Sequence, residues 1–109
     1  MSDDHSDAMR DVLAERHRQV TVEGWTAEHD DQHDRGELAR AACCYAYESA
    51  TRDYALEASL SYMPLTWPWS RKWWKPKSQR RDLVRAAALL IAEIERLDRI
   101  SRAQSEVTP

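Results

Sequence analysis

Between Glu23 and Glu37 the chain gathers an unusual set of groups able to hold a cation or move a proton: Glu23, Glu28, His29, Asp30, Asp31, His33, Asp34 and Glu37. A helix start needs only one or two of them. Asp34 can accept from first-turn amides, and Glu37, three residues on, can reach back in a capping-box arrangement. Carboxylates gathered this closely repel one another unless cations neutralise them, and hard ions such as Mg2+ or Mn2+ favour such oxygen ligands. His29 and His33 would also admit zinc, but no Cys pair lies nearby and the "HDDQH" run reads as non-helical, which denies them a common face. Two readings stand side by side: a metal site that includes Asp31 and Glu37, and a solvated acidic cap.

A second concentration is "PLTWPWSRKWWKPK", residues 64 to 77. Its three prolines forbid a long helix, and four Trp among four Lys or Arg expose too much apolar surface for a solvated linker. The segment must therefore pack on something. Either the indoles cover one end of a helical bundle, or one or two of them form a stacking wall with Arg71, Lys72, Lys75 and Lys77 placed for phosphate or carboxylate groups.

Other carboxylates lie along helical stripes. Glu37, Ala41, Cys44 and Glu48 share a line beside an apolar one, and Asp82 and Glu93 repeat the same eleven-residue relation near the end of the chain. Two such helices could enclose a divalent ion. Glu15 and Gln19, one turn apart, offer an acid and an amide able to pair with a base edge or another polar ligand. The plain alternative is that Glu48 and Glu93 are solvated and that Asp82 favours the positive end of its own helix.

These residues need helices to position them. Met9, Val12, Leu13, Arg16 and Val20 recur at helical spacing between a Ser6 cap and a stop at Gly24. A second helix, opened by Asp34 and Glu37, presents Leu38, Ala41, Ala42, Tyr45 and Ser49 and runs to about Thr51. "DYALEASLSYM" continues it or forms a separate helix. The last helix begins after Pro76 and Ser78, carries Leu83, Ala87, Leu90, Ile94 and Leu97 on its apolar face and ends near Arg102. With two Gly, no Phe and abundant Ala, Arg, Glu and Leu, helices are favoured over a sheet. The expected fold is a single all-α domain over residues 1–109, a compact bundle of three to four helices, with 1–5 and 103–109 frayed.

Net charge narrows the partners. A formal charge of −3 gives no global attraction to nucleic acid, and the basic residues sit in one loop and one helix start, a small footprint for phosphate tracking. No apolar run approaches the roughly 20 residues that cross a bilayer, and "MSDDHSDAMRD" has neither the basic nor the apolar part of a secretion signal. A cytoplasmic protein is expected, with Cys43 and Cys44 reduced and acting as small packing residues.

Acids at the helix start in "HDDQHDRGEL" and again in "RRDLVRAAALLIAEIERLD" resemble the small phage-borne relatives of the MazG-like, all-α nucleoside triphosphate pyrophosphohydrolases. The "ERHRQVTVEGWTAEHDDQHDRGELARAA" and "WPWSRKWWKPKSQRRDLVRAAALLIAEIERLDR" segments look like those of a recurrent group of phage and prophage proteins, so the resemblance spans residues 15 to 99. The family's E-x-x-E is here a D-x-x-D-x-x-E run at Asp31, Asp34 and Glu37. Its E-x-x-D occurs late, as Glu95 to Asp98, and Asp82 is the better positional counterpart. The resemblance implies hydrolysis of a nucleoside triphosphate to a monophosphate and pyrophosphate, with Mg2+ or Mn2+ held by Glu37, Asp82 and Asp31 or Glu15. A further carboxylate would accept the proton of the attacking water. Gln19, Trp25, Trp73, Lys72, Lys75 and Arg81 would then contact the nucleotide, in a site built between the subunits of a homodimer or higher homo-oligomer. Two other classes fit the same residues: a non-catalytic nucleotide or second-messenger binder (a sponge) and an accessory protein that docks on a host protein through its indoles.

Overall fold

The computed structural model describes residues 4–51 and 63–107, and within them the chain is all helical: α1 Asp7–Thr21, α2 Ala27–Asp31, α3 Glu37–Thr51, a 3₁₀ turn at Arg71–Trp73, and α4 Gln79–Val107. No strand occurs among the described residues, and no helix there is long and apolar enough to cross a membrane. The continuation expected from "DYALEASLSYM" lies outside the described residues, apart from Met63.

Local sequence sets each boundary. Ser6 caps α1 by accepting from the Met9 amide at 3.2 Å, which satisfies one of the free first-turn donors. The chain leaves α1 through Gly24 at φ +77, a left-handed position that costs glycine little. The Trp25 amide then returns to the Gln19 carbonyl at 2.9 Å. Thr26 accepts from the His29 amide and starts α2, so part of the "HDDQH" run expected to be non-helical forms a short helix. The error has a simple source: one threonine cap suffices for a five-residue turn that shows no periodicity. Before α3 a second left-handed glycine, Gly36 at φ +79, redirects the chain, and Glu37 Oε1 accepts from the Arg35 amide at 2.6 Å. At α4, Ser78 Oγ accepts from the Arg81 amide at 3.1 Å, while Asp82 Oδ1 accepts from the Lys77 amide at 2.9 Å.

The core lies between α3 and α4. Leu38, Ala41, Ala42, Cys44 and Tyr45 of α3 pack against Ala86, Leu89 and Ala92 of α4, and Trp67 closes one end. The face expected for α3 is therefore the buried one. For α4 the expectation is corrected. Leu83, Leu90, Ile94 and Leu97 point outward, 45–57% exposed, whereas Val84, Ala86, Ala88, Leu89 and Ala92 are buried. Small side chains on both helices let the backbones approach closely, and an alanine face facing Ala41, Ala42 and Cys44 fills that space without voids. α1 departs similarly: Met9 and Leu13 are half exposed, and the side chains it buries are Glu15 and Gln19. Cys44 is buried as expected, but Cys43 is exposed. Finally, α4 continues to Val107, so residues 103–107 are helical rather than frayed.

Candidate functional site

Clustered acids require countercharge, and here arginines from other helices supply it. Asp30, fully buried, receives Arg16 Nη2 at 2.9 Å, and the same guanidinium reaches Glu95 at 3.1 Å. Arg99 of α4 holds Asp31 at 2.7 Å. This pins α2 between α1 and α4, so the stretch is neither a solvated cap nor a set of converging ligands. Asp31 supports Arg99, Glu37 takes the Arg35 amide and lies 3.7 Å from His33 Nδ1, and Asp82 takes the Lys77 amide. The three carboxylates expected to share a divalent ion are thus engaged on three separate elements. Among the described residues no three His, Cys, Asp or Glu side chains are placed to hold a metal ion. The magnesium or manganese centre would require these carboxylates to leave their present partners.

Glu15 is the most heavily coordinated acid. It is 2% exposed, and Arg18 grips it as a fork, Nε to Oε1 at 2.8 Å and Nη2 to Oε2 at 3.0 Å. Arg81 adds a close contact to Oε1 from α4, and Gln19 Nε2 reaches Oε2 at 3.3 Å. Burial pushes its carboxyl upward, but the Arg18 hydrogen bonds and the charges of Arg81 and Arg18 outweigh that and hold it below the usual carboxylate range. A carboxylate so saturated is a poor proton acceptor. It serves instead as the post on which two guanidinium groups are mounted.

Beside that post opens a cavity of about 520 Å³, within the range that takes a mononucleotide-sized ligand. One wall is aromatic. Trp25 stacks on His29 at 6.0 Å and 3° between planes, His29 meets His33 edge-on, and His33 leads to Trp69 at 5.2 Å. Trp69 abuts Trp67, which abuts Tyr45. The loop holds its shape through local bonds: the Trp67 indole N–H donates to the Ser70 carbonyl at 3.1 Å, and the Lys75 amide donates to the Tyr45 hydroxyl at 3.3 Å. Both readings of the tryptophan loop therefore operate together. Trp67 and Trp74 seal the core, while Trp25, Trp69 and Trp73 line the opening.

The charge at the opening runs against that of the whole chain. Arg18, Lys75, Lys77 and Arg85 line the cavity, against only Glu15 and Glu23, and both acids are paired with Arg18. Lys72 and Lys75 hover over the Trp73 ring at 5.3 and 5.8 Å, and Arg85 over Tyr45 at 5.6 Å. Of the residues singled out from sequence, Glu15, Gln19, Trp25, Trp73 and Lys75 share this cavity. Lys72 stands at its edge over Trp73, and Arg81 is joined to it through Glu15. Glu37, Asp82 and Asp31 are not among its lining residues.

Sequence reasoning overlooked Arg18, Tyr45, Trp69 and Arg85, and took the two histidines only as possible metal ligands. The missed signal was the i, i+3 spacing of Glu15 and Arg18. For the rings no local spacing exists, because they meet across three elements. Comparison with protein-family models, curated proteins and solved structures found no match.

Proposed function

We propose that this chain binds a nucleotide in the aromatic and basic cavity, with the base against the indoles and the phosphates toward Lys75, Lys77 and Arg85. The observation that carries the reading is the pairing of a ring-lined wall with a cationic mouth on a chain of net charge −3. Stacking tolerates any base because every base has a π-face, and each stacked base contributes about 1–3 kcal/mol. Lysine and arginine supply charge-assisted bonds to phosphate oxygens. The acids do not oppose such a ligand, because guanidinium groups already neutralise those nearest it. Metal-free binding is thus favoured over the magnesium-dependent pyrophosphohydrolysis that the family resemblance implies.

Titration with nucleoside mono-, di- and triphosphates in EDTA, followed by product analysis with Mg2+ or Mn2+, separates these outcomes. Saturable binding in EDTA without turnover supports the proposal. Release of monophosphate and pyrophosphate that requires metal would establish the hydrolase instead, and no binding to any nucleotide would leave the indoles as a docking surface for another protein.

The outward stripe of α4 supports a second part of the reading, assembly with a second copy of the chain. Leu83, Ala87, Leu90, Ile94 and Leu97 alternate spacings of four and three, the seam of a paired helix, and four of them stand half exposed. The helix is roughly 43 Å long. An isologous contact along it covers on the order of 800 Å² per copy, the size of a standard stable interface. Light scattering of the purified chain should report a dimer, and a monomer would sink this part of the reading.

A further inference from the structure

Gln19 is 1% exposed and lies in the wall of the cavity. Its amide has only one bond among the described residues, from Nε2 to Glu15 Oε2 at 3.3 Å, and its Oε1 is buried with no donor. A glutamine amide can be turned over without changing its shape, so the neighbours decide which end faces where. Here they leave no freedom. Glu15 is ionised and can only accept, so the nitrogen must face it, and the opposite orientation would set two oxygens against each other. Gln19 Oε1 is consequently a fixed acceptor beside the Trp25 turn, whose backbone amide is bonded to the Gln19 carbonyl at 2.9 Å.

A buried acceptor left unpaired carries the full cost of its desolvation. The nucleotide reading, on which this inference rests, supplies the missing donor. We propose that Gln19 Oε1 accepts a hydrogen bond from an N–H on the edge of the stacked base, so that the site selects bases presenting an amino group over analogues that lack it. The amide nitrogen is committed to Glu15, so the residue cannot read both edges of adenine as a free glutamine does in a groove. It reads one donor. A site built to bond a ligand N–H discriminates strongly against the analogue without it, because the protein group is then stranded.

The test compares two ligand pairs that differ by one amino group: adenosine with purine riboside 5′-diphosphate, and cytidine with 2-pyrimidinone riboside 5′-diphosphate. Each is titrated by tryptophan fluorescence against the wild-type chain and Gln19→Leu. The wild type should bind at least one amino-bearing member roughly 10-fold more tightly than its partner, and Gln19→Leu should bind both members of that pair alike. If the wild type binds both members of each pair equally, the inference is overturned while nucleotide binding stands. Should none of the four bind, and none of the common nucleotides either, both fall together. If Gln19→Leu does not fold, the comparison on the wild-type chain alone decides.

Discussion

Replacing Glu15 with glutamine removes one charge from the most heavily bonded acid of the molecule and leaves its shape intact. The carboxylate takes two bonds from Arg18, one from Arg81 and one from Gln19. A glutamine there can accept through one oxygen only, and its NH2 must face a guanidinium or the Gln19 amide, donor against donor. Breaking a buried ion pair by removing one partner costs about 3–5 kcal/mol when the stranded charge stays buried. The Arg18 and Arg81 side chains are 37% and 35% exposed, so both regain water, and the expected loss is about 2 kcal/mol. For a domain of this size that lowers the melting temperature by roughly 8–15 °C. Urea unfolding with a constant slope isolates the stability change from any change in compactness. A variant as stable as the wild type, or more stable, would refute the reasoning, since a carboxylate held for chemistry rather than structure is commonly a source of strain whose removal stabilises.

Further outcomes follow from the same contacts. Because Glu15 is held below its ordinary range, its stabilising contribution is complete above the unfolded value of about 4.3 and is lost as pH falls through the lower folded value. Urea midpoints should therefore drop below about pH 4, and Glu15→Gln should flatten that drop. Trp67→Ala, which empties a buried indole from the end of the core, should cost about 3–5 kcal/mol, whereas Trp73→Ala, 47% exposed, should leave the melting temperature within a few degrees and weaken nucleotide binding instead. Ile94→Lys places a charge in the outward seam of α4 and should convert a dimer to a folded monomer by light scattering with an unchanged circular dichroism spectrum. Raising salt from 50 to 200 mM should weaken nucleotide binding several-fold, because the lysines at the opening act through screened charge.

Where a signal was local, sequence was a reliable guide. Ser6, Gly24 and Thr51 bound their helices as expected, and the α3 face from Leu38 to Ser49 is the buried one. The α4 seam misled because periodicity says which residues share a face but not which face meets the core. Alanines, neutral in a hydrophobicity pattern, won the interior through close packing, and leucine and isoleucine were left outside. The acidic run misled for a related reason. Its countercharges, Arg16 and Arg99, stand 14 and 68 residues from the acids they hold, and no spacing rule links them. The cavity was half legible: Gln19, Trp25, Trp73 and Lys75 were picked out by type, but Tyr45 and Arg85 reach it only because α3 and α4 pack.

Tryptophan fluorescence titration with adenosine 5′-diphosphate and the other common nucleotides, in EDTA, puts the nucleotide-binding cavity to its sharpest trial, since four of the five indoles, Trp25, Trp67, Trp69 and Trp73, line it. Saturable quenching without metal, weakened in Trp69→Ala and in Lys75→Ala, is the expected result. No quenching by any nucleotide, or quenching that appears only with Mg2+ and is followed by release of pyrophosphate, would contradict it.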